Sequence, residues 1–237
     1  MNASHGITDD RSGSARGTIA WITGAVIEHP AVATTIRLEP LEARHAADLF
    51  DAADPELFRH TMQAPAEWSV DGFRRELEAV RALPSSVAFA IVLRDCGRAI
   101  GRTTYMDIRP EHRGLEIGRT WIGRAHHGTR VNPEAKYLML RHAFETLAPP
   151  AVRVQFCTNE TNLHSQAAIA KLGAVREGVL RRSRILPPGP GRPEPVVRDW
   201  VVFSIVDAEW PQAKARLEAR LESGLESGLE SGLNRDG

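Results

Sequence analysis

Disulfides, metal–thiolate centres and a global electrostatic field all need residues that this chain lacks. Its 237 residues include only two cysteines, Cys96 and Cys157, far apart and in no CxxC pair. That argues against a disulfide framework and against a thiolate zinc site. The expectation is a reducing compartment, with both thiols as small packing residues. The 30 basic residues balance 30 acidic ones, so no net field recruits nucleic acid or an anionic membrane, and an anionic ligand needs a local site. Long apolar runs are missing too. The stretch from Thr18 to Ile27 is about half of a membrane span, and Asp9 and Asp10 precede it instead of a basic leader. These absences lead to the expectation of a cytoplasmic protein with no nucleic-acid or membrane partner.

What is present is an ordinary globular composition, 42% hydrophobic and 25% charged, long enough to bury a core. Residues 1–34 read as a mobile arm with at most one ordered turn or strand around Trp21 to Ile27. From Leu221 the chain repeats Leu-Glu-Ser-Gly three times. A glycine every four residues weakens a helix, so 222–237 reads as a frayed or disordered low-complexity tail. The domain is expected over 35–221.

Inside it, Thr35–Leu38 alternates as a strand, and 42–51 and 70–83 read as helices, the second with Ser69 as N-cap and Pro84 as stop. Val87–Leu93 and Arg98–Ile108 form a hairpin across Asp95-Cys96-Gly97. A strand over 115–122 feeds a helix over 132–147, and a strand over 152–156 feeds a helix over 163–172 that ends at Gly173. Two strands, 174–186 and 196–206, flank a Pro/Gly-rich loop, and a last helix follows Asp207. This order predicts a mixed α/β (α+β) domain, not a regular βαβ repeat.

The chemistry concentrates where strand 115–122 passes through a short loop into a helix N-terminus. Free backbone N–H groups and the helix dipole there make an anion site suited to a pyrophosphate, with Gly128 where backbone must come close to a ligand.

The run Glu116-Ile117-Gly118-Arg119-Thr120-Trp121-Ile122-Gly123, followed by His127-Gly128-Thr129-Arg130-Val131-Asn132-Pro133-Glu134-Ala135-Lys136, resembles the acetyl-CoA motif of GNAT N-acetyltransferases. A second block runs from Asn159-Glu160-Thr161-Asn162 through Ser165 to Gly173-Ala174, and Glu177-Gly178, Arg198-Asp199 and Glu209-Trp210-Pro211 follow. In order and spacing these blocks are most similar to the ribosomal-protein N-terminal acetyltransferase branch.

The resemblance implies a splayed central sheet of about seven strands with flanking helices. It also implies acetyl-CoA as cosubstrate, no metal, and monomer or homodimer. Backbone at Trp121 and Ile122 would meet pantetheine, as would Asn162. The amides of His127, Gly128, Thr129, Arg130, Val131 and Asn132 would cradle the pyrophosphate. Glu116 is the expected general base, against the plainer readings of an exposed strand carboxylate or a structural ion pair with Arg119 or Arg113. Ser165 is the expected acid at the sulfur, against a helix serine bonded to its own backbone.

Three positions depart from the family pattern. Arg130 replaces a small residue, with a backbone penalty of roughly 1–2 kcal/mol if left-handed, offset by a phosphate contact. Ile169 stands where many members carry a proton-donating tyrosine, and Ala174 replaces an aromatic. His126-His127 does not complete HHxxxD, because Val131 stands at the aspartate position. Trp68, Trp121 and Tyr105 are candidates for an acceptor pocket, with core packing as the default.

The expected activity is acetyl transfer to a primary amine, either a peptide N-terminus or a small molecule. The alternative is a non-catalytic acyl-CoA-binding module. An open acidic groove favours a peptide acceptor, and a closed pocket a small molecule.

Overall fold

Strand-period and helix-period segments of the chain assemble into one seven-stranded sheet, in the order β1-β2-β3-β4-β5-β7-β6. The computed structural model describes residues 21–22, 25–29 and 34–233, with side chains to 223. The strands are β1 (Ile36–Pro40), β2 (Val87–Leu93), β3 (Ala99–Arg109), β4 (Gly114–Ile122), β5 (Arg153–Asn159), β6 (Val175–Leu186) and β7 (Val196–Val206). The helices are α1 (Ala46–Ala52), α2 (Val70–Arg81), α3 (Val131–Arg141), α4 (Leu163–Ala170) and α5 (Trp210–Leu233).

β2 is a continuous apolar run because both of its faces are covered. Phe89 and Ile91 join the core that α3 and α5 build on one side of the sheet. Ala88, Ala90 and Val92 join the core that α1 and α2 build on the other. Burial on both faces removes the polar alternation that a one-sided strand carries. α2 contributes Phe73, Leu77 and Val80 to the second core, and its Ser69 cap accepts from the Gly72 amide at 3.0 Å. The hairpin turns where expected, with Gly97 at φ +70.

Every neighbouring pair is antiparallel except β4 and β5. Those two run parallel and pair over only three residues, Gly114↔Arg153 to Glu116↔Gln155. β4 continues to Ile122 and β5 to Asn159, so beyond Glu116 the two edges diverge and leave their facing amides and carbonyls unbonded to a neighbouring strand. β4 also bulges. Its pairing with β3 slips between Arg102↔Trp121 and Thr104↔Gly118, and Arg119 takes φ +49.

Two expectations need correction. The helix expected over 132–147 is α-helical to Arg141 and then widens into a π-turn, His142–Thr146, where the Leu147 amide donates to the His142 carbonyl. The tail expected to fray from 222 continues as α5 to Leu233. Leu217 and Leu221 anchor the first half of α5 in the core, and propagation from a packed segment adds one hydrogen bond per residue fixed, which offsets the glycines. The turn or strand allowed within the arm falls partly on described residues. Most of 1–34 lies outside the described residues, but Ile22 and Ile27 are buried, and Ile27 bridges Leu38 with bonds of 2.9 and 3.0 Å.

Candidate active site

The divergence of β4 and β5 opens a cavity of about 520 Å³. Its walls are β4 from Glu116 to Thr120, β5 from Phe156 to Asn159, Lys136 of α3, Asn162 and Ile169 of α4, and the segment 57–63 before α2. Glu116 sits at the apex, on the last residue of β4 that still pairs with β5. Only 7% of it is exposed, and burial raises its pKa above the ordinary carboxylate value. The Gln155 amide opposes that rise by donating to Glu116 Oε2 at 3.2 Å, and the Cys157 thiol also bonds to Glu116. The plainer expectation, an exposed carboxylate in an ion pair, is therefore overturned: Glu116 is buried and has no ion-pair partner among the described residues.

Lys136 forms the opposite wall, and no role was expected for it from the sequence. Its ammonium is buried among hydroxyls, donating to Thr120 Oγ1 and, at 3.3 Å, to Thr103 Oγ1. No carboxylate pairs with it among the described residues, and burial lowers its pKa to about 7. A signal was present in the sequence. Lys136 occupies the same stripe of α3 as the buried Leu140, where a solvated lysine does not belong.

The remaining expected residues fall into three groups. Asn162 lines the cavity and also caps α4, its Oδ1 accepting from the Ser165 amide at 3.1 Å. The half-buried Ser165 side chain is not on the cavity wall, and Ile169 is. Trp121 and Ile122 close the far end of β4. The Trp121 ring is core, 5.5 Å from Phe58, and the Ile122 carbonyl is bonded to His127 Nε2 at 2.8 Å.

His127, Gly128, Thr129, Arg130, Val131 and Asn132 make the turn into α3. Gly128 supplies its left-handed residue at φ +75, and a Cβ added there would meet no atom within 4 Å. Arg130 is not left-handed: it lies at φ −70 and ψ −11, so the anticipated strain is absent. Its Nε donates to Glu134 at 3.0 Å, and the fully buried Glu134 also accepts from Thr35 Oγ1 and the Ile36 amide. Tyr105 is core, its hydroxyl bonded to the Met139 carbonyl at 2.6 Å, and Trp68 packs on Phe58 and Phe73. Neither lines the cavity; Trp200 does, although no sequence signal singled it out.

A buried carboxylate at the parting of two parallel strands, with a glycine turn and a helix N-terminus at the end of one of them, is a distinctive combination. The family model described as "Acetyltransferase (GNAT) domain" matches residues 35–175. The chain belongs to the GNAT acetyltransferase family. An acetyltransferase structure from T. thermophilus is 41% identical, with TM-score 0.74, over 85% of this chain and 99% of that one. A GCN5-related N-acetyltransferase from Brucella melitensis is 25% identical, with TM-score 0.74, over 85% and 87%. Mycobacterium smegmatis RimJ, solved in complex with CoA-disulfide, shares the fold at 23% identity and TM-score 0.63, over 78% and 88%. No curated protein matches the chain. Among the described residues no cluster of His, Cys, Asp and Glu is placed to hold a metal ion, and no helix is long and apolar enough to cross a membrane.

Proposed function

We propose that this GNAT protein is an acetyl-CoA-dependent N-acetyltransferase that moves the acetyl group directly to a primary amine. The observation that carries the reading is Glu116, a buried carboxylate at the apex of the β4–β5 divergence, on the wall of the resulting cavity. The residues present fit the cosubstrate. The unpaired edges of β4 and β5 offer amides and carbonyls to pantetheine, Asn162 stands beside them, and the Gly128 turn before α3 offers N–H groups to a pyrophosphate. That RimJ was solved with CoA-disulfide supports a CoA ligand on this fold.

The thioester supplies an activated acyl carbon, and the chain's own groups manage charge and protons. An alkylammonium has a pKa near ~10.4 and must lose a proton before its nitrogen can attack. Glu116 accepts that proton, directly or through water, and its burial-raised pKa brings it closer to working pH than an exposed glutamate. Backbone N–H groups on the free edge of β4 stabilise negative charge developing on the carbonyl oxygen. The C–N bond forms as the C–S bond breaks, and the second proton shed by the nitrogen passes to the departing sulfur or to water. With Ser165 off the wall and Ile169 on it, the sulfur departs as thiolate without a protein acid.

The test is calorimetric titration with acetyl-CoA, followed by thiol release across an amine panel with Glu116→Gln beside the wild type. Micromolar one-to-one binding with turnover lost in Glu116→Gln supports the reading. Binding without turnover on any amine favours a non-catalytic acyl-CoA module, and absence of binding removes the reading altogether.

A further inference from the structure

A second chamber of about 370 Å³ lies beside the catalytic cavity, and His60 and Asn159 belong to the walls of both. Its other walls come from the segment before α2 and the loop between β6 and β7, which Arg192 stitches together. Arg192 Nη1 donates to the Arg59 carbonyl at 2.7 Å, and Arg192 Nε donates to the Pro187 carbonyl. All of its partners are carbonyls, so a buried guanidinium stands in the wall with no carboxylate to balance it among the described residues.

Arg59 and Arg198 line the same chamber, and Glu194 is its one acidic wall residue. The two arginines have carboxylates only at the outer limit of an ion pair, Glu56 at 3.7 Å and Glu160 at 3.9 Å. The local potential is therefore positive. His60, shared by both walls, has its pKa lowered by burial and then by Arg59, Arg192 and Arg198.

Two buried donors in the chamber's walls have no acceptor. Asn159 is 2% exposed, and its Oδ1 is committed to the Thr161 amide and hydroxyl at 2.8 Å. That fixes the orientation of the amide group and leaves Nδ2 unbonded. Arg198 Nε is likewise buried and unbonded. Unsatisfied buried donors are rare in folded proteins, and donors in the same chamber as the uncompensated Arg192 guanidinium match a carboxylate in both charge and geometry.

Resting on the acetyltransferase reading, we propose that the acceptor is a small amino carboxylate. Its amine would reach Glu116, and its carboxylate would be held in this chamber by Arg198, Arg59 and Asn159. A basic peptide N-terminus would meet like charge on the walls. The chamber's size suits a small molecule.

The experiment measures thiol release from acetyl-CoA with the L-amino acids, each beside its own α-carboxamide. The same pairs are titrated calorimetrically into protein saturated with CoA. The expected result is at least a tenfold higher kcat/KM and tighter binding for the carboxylate members. Arg198→Gln should bring that ratio towards one without changing acetyl-CoA affinity, and Arg59→Gln provides a second variant should Arg198→Gln fail to fold. Amides that equal or surpass their acids, or basic peptides that surpass both, overturn the proposal, as does failure of every amino acid to bind. If acetyl-CoA itself does not bind, the reading beneath the proposal fails instead.

Discussion

The two ends of the cleft treat positive charge in opposite ways. At the α3 end, Arg130 is tied to the buried Glu134, and that carboxylate also holds Thr35 and the start of β1. At the other end, Arg192 bonds only to carbonyls, and Arg59 and Arg198 have distant partners. On the proposed reading, the first arrangement spends its arginine on architecture and leaves ligand binding to backbone amides, and the second keeps its guanidiniums for the acceptor. Glu116 lies at the apex of the cleft and takes part in neither group of contacts, so each can be perturbed with the other as control.

The largest effect should come from the centre. Glu116→Gln is expected to lower kcat by ~10²–10⁴-fold while leaving acetyl-CoA affinity within about threefold, because it removes the base and neither end of the cleft. Because burial raises its pKa, the acidic limb of the wild-type kcat/KM profile should lie above the ordinary carboxylate range and vanish from the residual activity of the variant. Equal limbs in both would remove Glu116 from the chemistry.

Next comes the architectural end. Glu134→Ala leaves Arg130 and the Ile36 amide without their acceptor, and should destabilise the fold by about 3–5 kcal/mol in denaturant titration. A loss below about 1 kcal/mol would mean that the charge at this end is not structural, and the contrast between the ends would fail.

Gly128→Val tests the turn alone. Space is free around Gly128, so the penalty is the left-handed backbone, about 1–2 kcal/mol. If the turn must hold that shape to receive the pyrophosphate, acetyl-CoA should bind roughly tenfold more weakly by calorimetry. Unchanged affinity would move the phosphate site elsewhere.

Lys136→Met should leave a distinct pH signature in stability. The folded chain holds Lys136 at about 7, against an ordinary value of 10.5, so between those limits the unfolded chain binds the extra proton. Wild-type stability therefore rises with pH through that window, and burial of the ammonium weighs fully against the fold below it. The variant should melt a few degrees higher at pH 6, with the gap closing towards pH 10. A gap that does not change with pH would show that Lys136 carries no buried charge.

Much of the fold was legible because the signals are local. β2 and β7 match their expected limits, Ser69 caps α2 with its hydroxyl, and Gly97 and Gly173 supply positive φ where the chain turns. Glu116, Asn162 and the Gly128 turn were readable from their motif. Lys136 was visible only as a polar residue on an apolar stripe. Asn159 and Arg198 were quoted within blocks that carried no role for them, because nothing beside them in sequence says which donors will lack an acceptor.

The order of helices and strands and the membership in GNAT were determined by the sequence alone. Periodicity, capping and motif spacing all act over a few residues. Which charges are balanced was decided only by tertiary structure. Arg102 meets Glu76 at 2.6 Å across two elements, Arg192 crosses to Arg59 and meets none, and Lys136 finds only hydroxyls. Pairing energy depends on distance and burial, and neither exists until the sheet has brought distant segments together.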